Sequence, residues 1–294
     1  AQARPIPFDG ARSYFSYDPA ERVLSFDELS VDSAWGSGLA EGQAWLGTVN
    51  NGQLTDLTGQ FTLSNLVVNP PGLYTEPAPL GQALADFRLE LAPFRLRLGQ
   101  MSLVVGDSTL RLGGDVSVAE GGWTSALDGQ VDQIEARQLV ALWPEFVAPK
   151  PRLWVDENLL AGDLSDIDLA LRLRPGAKPT LYADFEYARS DIRFHRFMPP
   201  ITGATGQTTF IDNRFVTTVT AGTVTPDQGG PLDVAGSSFI IPDTSIKKAA
   251  PGIARLRIDG PVTSILSMLN RPPIEVLKGT PLPVDMADGT ARLE

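Results

Sequence analysis

His195 is the only histidine of the chain and lies in Asp191-Ile192-Arg193-Phe194-His195-Arg196-Phe197. A general base or metal ligand needs a second group at suitable spacing, and no cysteine or other histidine exists to supply one. Read as a strand, the segment turns His195 to the face opposite Ile192 and Phe194, into solvent. Asp163, Asp166 and Asp168 invite a calcium site or a pair of glycosidase carboxylates. Their spacing is not that of an EF-hand loop, and Asp166 and Asp168 fall on the wet face of one strand. Gly36-Ser37-Gly38 and Gly203-Ala204-Thr205-Gly206 lack the strand-to-helix setting and the lysine of a phosphate-cradling loop, so turns or bulges are expected there. No nucleophile, base and orienting group assemble from these residues. The expectation is a protein that is not an enzyme and holds no cofactor or metal.

The elements that would position such groups read as strands. In 166–174 the apolar residues Ile167, Leu169, Leu171 and Leu173 alternate with Asp168, Arg172 and Arg174, which gives one dry and one wet face. The same alternation recurs at Phe94, Leu96 and Leu98 around Arg95 and Arg97, at Leu110 and Leu112 around Arg111, and at Ala254, Leu256 and Ile258 around Arg255 and Arg257. Half-buried antiparallel strands are the expected outcome. Turn signals separate them: Asn50-Asn51-Gly52, Gly113-Gly114-Asp115, Glu120-Gly121-Gly122, Asp212-Asn213 and Gly229-Gly230-Pro231.

Helical spacing is confined to two stretches. Residues 132–143 carry Ile134, Leu139, Leu142 and Trp143 before Pro144, and residues 263–270 carry Ile265, Leu266, Met268 and Leu269 before Pro272. Each follows a D-G-x-V-x-x-I match, from Asp128 to Ile134 and from Asp259 to Ile265, which suggests an internal duplication. Two β units are therefore expected, 1–144 and 145–294, each ending in a short helix, with a connector over 145–151.

Composition narrows the partners. The 294 residues are 43% hydrophobic with 28 Gly and 24 Pro, suited to many short strands and turns. A formal charge of -11 with no basic run argues against nucleic acid and against adsorption to anionic headgroups. Without cysteine there are no disulfides, which fits an oxidising compartment without requiring one. No run approaches the roughly 18 apolar residues of a spanning helix, and the start AQARPIPFDG lacks signal-peptide features, so the chain reads as cytosolic or as an excised piece.

Leu142-Trp143-Pro144, then Pro149-Lys150-Pro151-Arg152-Leu153-Trp154-Val155, Asn158-Leu159 and Gly162 form a first block of motifs. Met198-Pro199-Pro200-Ile201, Gly203-Ala204, Gly206, Phe210-Ile211-Asp212 and Gly222 form a second, followed by Ile241-Pro242-Asp243 and Arg271-Pro272-Pro273. Over about residues 60–280 this series resembles the periplasmic region of the AsmA-like proteins of Gram-negative bacteria, the TamB/YhdP group. The resemblance implies a mainly β fold, a long curled antiparallel sheet forming a taco-like groove with two short helices. It also implies a role in phospholipid transport between inner and outer membranes and a periplasmic location. The full-length protein would be held in the inner membrane by an anchor that this chain lacks. The Trp143 and Trp154 of the motif, at a helix end and a strand start, are expected as core anchors.

The groove lining is then expected to comprise Phe94, Leu96, Leu98, Leu110, Leu112, Ile167, Leu169, Leu171, Leu173, Ile192, Phe194, Leu256 and Ile258, and the partner a phospholipid or other acyl-chain lipid. An ordinary sandwich core has the same alternation, so groove and sandwich both remain open. The alternative function is a structural β-rich scaffold that binds envelope proteins along its sheet edges.

Overall fold

The computed structural model describes residues 8–34, 36–68, 78–119, 121–143, 145, 148–246 and 251–294. Trp35, Glu120, Pro144, Phe146, Val147 and the first seven residues lie outside them. The protein is mainly β, 62% strand, built on a long antiparallel sheet as the alternation implies. It divides into two compact units whose chain segments interleave. The first takes 1–133, 144–147 and 168–181, and the second takes 134–143, 148–167 and 182–294.

In the first unit the strands are β1 (Phe8–Asp18), β2 (Val23–Ser33), β3 (Gly36–Leu46), the small hairpin β4 (Val49–Asn50) and β5 (Gln53–Leu54), β6 (Asp56–Val68), β7 (Ala78–Pro79), β8 (Gln82–Leu91), β9 (Phe94–Val105), β10 (Ser108–Ala119) and β11 (Gly122–Glu135). Eight long strands pair antiparallel in chain order, β1-β2-β3-β6-β8-β9-β10-β11. Such a meander follows from short turns. At the first, Asp18 Oδ1 accepts the N–H of Ala20 and of Glu21. Asn51 and Gly52 both take positive φ at the tip of the β4–β5 hairpin, the geometry a two-residue hairpin loop needs. Gly113-Gly114 is not the expected turn: it lies within β10, where a bulge shifts the register against β9.

The second unit contains α1 (Ala136–Leu142), α2 (Pro149–Asn158), the first half of β12 (Leu159–Leu173), most of β13 (Thr180–Ile192), β14 (Ile201–Ile211), β15 (Arg214–Val224), β16 (Leu232–Asp233), β17 (Ser238–Ile241), β18 (Ile253–Arg255), β19 (Ile258–Pro261), α3 (Val262–Leu269) and β20 (Thr290–Leu293). β14 and β15 join through Asp212-Asn213, both at positive φ as expected. On its other side β15 pairs with β17 and then β16, which continue to β18 and β19. α3 lays Ile265 and Met268 onto Val219, Val224, Leu232, Val234 and Ile258 to form a closed core.

Among the described residues three helices stand where two were expected. The connector is the unforeseen one: Pro149 occupies the first turn of α2, where its missing N–H costs nothing, so the P-x-P-R-x-W-V motif is helical. Trp154 is thus a helical residue 48% exposed, not a core anchor at a strand start. Arg152 Nε donates to Trp143 O at 2.9 Å and ties α2 to the end of α1. The two D-G-x-V-x-x-I segments also differ in structure. The first lies wholly in β11, with Ile134 on the strand, whereas in the second the helix starts at Val262 and Ile265 is helical. The matching residues therefore do not build matching elements.

Candidate functional site

The strand registers of the first unit stack side chains into rows across all eight strands. One row runs Tyr17, Leu24, Ala44, Gly59, Phe87, Leu98, Gly114, Leu127. The next runs Phe15, Phe26, Gly42, Phe61, Ala85, Met101, Leu112, Gly129, and a third Ser13, Leu29, Ala40, Leu63, Ala83, Leu103, Leu110, Val131. A fourth, over six strands, runs Leu46, Leu57, Leu89, Leu96, Val116, Ser125. With successive residues pointing to opposite sides, these rows form one apolar face interrupted only by Ser13 and Ser125. Seven strand spacings and three two-residue steps make it about 34 Å by 20 Å.

Aromatic rings mark the middle of that face. Phe15 and Phe26 lie 5.8 Å apart, Phe26 and Phe61 5.7 Å, and Phe61 and Phe87 6.0 Å between centroids. Phe26 and Phe61 belong to strands separated by β3, and they meet because Gly42 stands between them. Gly42 has φ +155°, and a Cβ there would lie 2.1 Å from Gln60 O. At the far end Phe94 meets Trp123 edge to face at 5.6 Å.

Burial separates this face from a core. Phe94, Leu96, Leu98, Leu110, Leu112 and Leu127 are all partly exposed, and Phe15 and Trp123 are each 58% exposed. The buried residues of the rows are small, Ala44, Gly59, Ala83, Ala85, Ser125 and Gly129, apart from Leu103. Among its described residues the first unit contains no helix.

The opposite face carries charged residues paired across strands, together with the exposed Leu84 and Val104. Asp56 binds Arg88, Asp115 binds Arg95, and Asp132 binds Arg111. Arg172 donates to Asp128 and to Leu127 O, and Asp168 accepts from Gln130. These bonds fix the second half of β12 with Leu169, Leu171 and Leu173 toward the apolar side, and Leu169 comes close to Gly129 there. Asp56 also accepts the Thr48 N–H, the main reason its carboxyl titrates below the usual range, with Thr55 and Arg88 adding to the effect. Trp45 lies on this polar side, over a shallow depression of about 450 Å³ with Thr58, Gln60, Asp86, Arg88, Arg97 and Gly99.

Of the thirteen residues expected to line a groove, the structure gathers Phe94, Leu96, Leu98, Leu110, Leu112, Leu169, Leu171 and Leu173 in the first unit. The other five lie in the second unit and do not form an open face. Ile258 is 2% exposed in the closed core, and Ile167 is buried at 7%. Ile192 ends β13, and Phe194 is in the loop beyond it. Leu256 sits between β18 and β19, 49% exposed, because the alternation of 254–258 is broken where Ser237 Oγ accepts the Arg257 N–H. His195 is likewise in a turn and not on a strand: Nδ1 accepts the Phe197 N–H, and its ring packs beside that of Phe197. Asp163 binds Arg189, so Asp163 and Asp168 are engaged by different neighbours. Gly36-Ser37-Gly38 and Gly203 to Gly206 fall in β3 and β14 at register shifts, as bulges.

Sequence reasoning missed Phe15, Phe26, Phe61, Phe87 and Gly42. β2 carries a bulge between Phe26 and Leu29 that breaks the period of two, and β3 is too rich in Gly and Ala to alternate visibly. The signal available was Tyr14-Phe15-Ser16-Tyr17, aromatic and uncharged at a strand position. Compared with models of protein families, with curated proteins and with solved structures, the chain finds no significant match in any of the three.

Proposed function

We propose that the apolar face of the first unit holds acyl chains, as the non-enzymatic lipid-binding groove of an AsmA-like envelope protein in the periplasm. The observation behind this reading is four apolar rows, three of them crossing eight strands, that remain partly exposed in the folded chain. A sheet with one apolar face must cover it with a second layer or with a ligand. Moving a sixteen-carbon chain through water costs on the order of 12 kcal/mol at about 0.8 per methylene, which an aliphatic and aromatic wall offsets. One leaflet's acyl region is about 15 Å deep, half of a 30 Å hydrocarbon core, so the face is broad enough for a chain laid in either direction. The motif resemblance favours phospholipid as the lipid and passage between the two membranes as the purpose.

The test is site-specific photocrosslinking. A benzophenone side chain at Phe61, on the apolar face, should label with phospholipid from mixed vesicles, whereas one at Thr58, on the polar face, should not. Equal labelling at both positions counts against the reading. The scaffold alternative has one observation in its favour, the outer edge of β1, which pairs with β2 alone among the described residues.

A further inference from the structure

The outer side of β1 has features that point to one partner. Edge strands are usually blunted by proline, lysine or a bulge. Between Gly10 and Asp18 β1 has none of these, since the irregularity opposite Tyr14 and Phe15 lies in β2 at Asp27. Instead Tyr14, Phe15 and Tyr17 are 57%, 58% and 49% exposed.

We propose that β1 pairs antiparallel with β1 of a second copy, about a two-fold axis through Phe15. Arg12 and Asp18 share the polar side of the strand, three positions either way from Phe15 on the apolar side. Centring the pair on Phe15 therefore sets Arg12 of each copy opposite Asp18 of the other, twice over. Sliding by two residues in either direction keeps the faces but loses both pairs. The charges are available: the Arg12 side chain is 67% exposed with Glu28 only at 3.8 Å, and Asp18 is exposed and uses Oδ1 for the turn after β1. The axis is perpendicular to the sheet, so both apolar faces come to one side. The Phe15–Phe26 row then meets its symmetry mate and continues without a break. The pairing does not depend on what the face binds.

Light scattering and sedimentation of the 294-residue chain should give a concentration-dependent dimer. Arg12→Asp or Asp18→Arg alone should weaken it on the order of tenfold, and the double exchange should restore it to within about threefold. Because the chain has no cysteine, Phe15→Cys should give a disulfide-linked dimer on mild oxidation, and Thr58→Cys should not. A monomer at every concentration overturns the proposal. So does a dimer indifferent to the charge exchanges, or one that crosslinks equally well through Thr58→Cys.

Discussion

Placing one carboxylate at three positions separates an open apolar face from a closed core. Ile258 is 2% exposed beneath α3, so Ile258→Asp loses up to about 3 kcal/mol of burial and leaves an unpaired charge costing several more. The sum reaches the ordinary margin of about 5–15 kcal/mol, and the second unit should lose its cooperative transition. Leu96 is only half-buried, so Leu96→Asp forfeits part of a leucine's transfer energy while the carboxylate stays hydrated. That comes to about 1–2 kcal/mol, a fall in Tm of about 2–8 °C. Thr58→Asp, exposed on the polar face opposite Arg88, should stay within about 0.5 kcal/mol. Melting curves by circular dichroism, read for separate transitions, give the answer. If Leu96→Asp unfolds the first unit as thoroughly as Ile258→Asp unfolds the second, the face is a core and the reasoning fails.

Gly42→Ala should destabilise by about 1–3 kcal/mol in urea titration, since φ is positive and Gln60 O occupies the space a Cβ needs. Tyr187, packed over Gly206 and donating to Thr218 O at 2.7 Å, has its phenol pKa raised by burial. Its contribution is full below the unfolded value of 10.0 and is lost as pH rises through the higher folded value, so stability should fall above about pH 10 and Tyr187→Phe should flatten that limb. Asp56 has the opposite sign: its folded pKa is lowered from 3.8, so its contribution is present above that value and disappears as pH falls through the folded one. Asp56→Asn should reduce the acid sensitivity of the first unit's melting transition.

Where alternation was regular, the fold was legible. β9, β10 and the second half of β12 announce themselves through arginines and aspartates spaced by two, because paired charges on one side leave an apolar set on the other. That logic placed eight of the thirteen expected residues on one apolar side of the first unit. It failed at 254–258, where Leu256 and Arg257 fall between the short strands β18 and β19, and at Phe194, where β13 has already ended. The aromatic centre of the face was hidden for a different reason. Glycine and alanine in β3 make room for rings from neighbouring strands, and room of that kind has no hydrophobic signature in the strand that provides it. α2 escaped notice because two prolines in its first turn resemble a linker until the third residue of the motif is seen to continue the helix.

Native mass spectrometry of the chain purified without detergent tests the central proposal most directly. Phospholipid-mass adducts should accompany the folded protein and diminish in Leu96→Asp while persisting in Thr58→Asp. Bare protein in every preparation, or adducts that survive Leu96→Asp unchanged, would contradict an acyl-chain groove on this face.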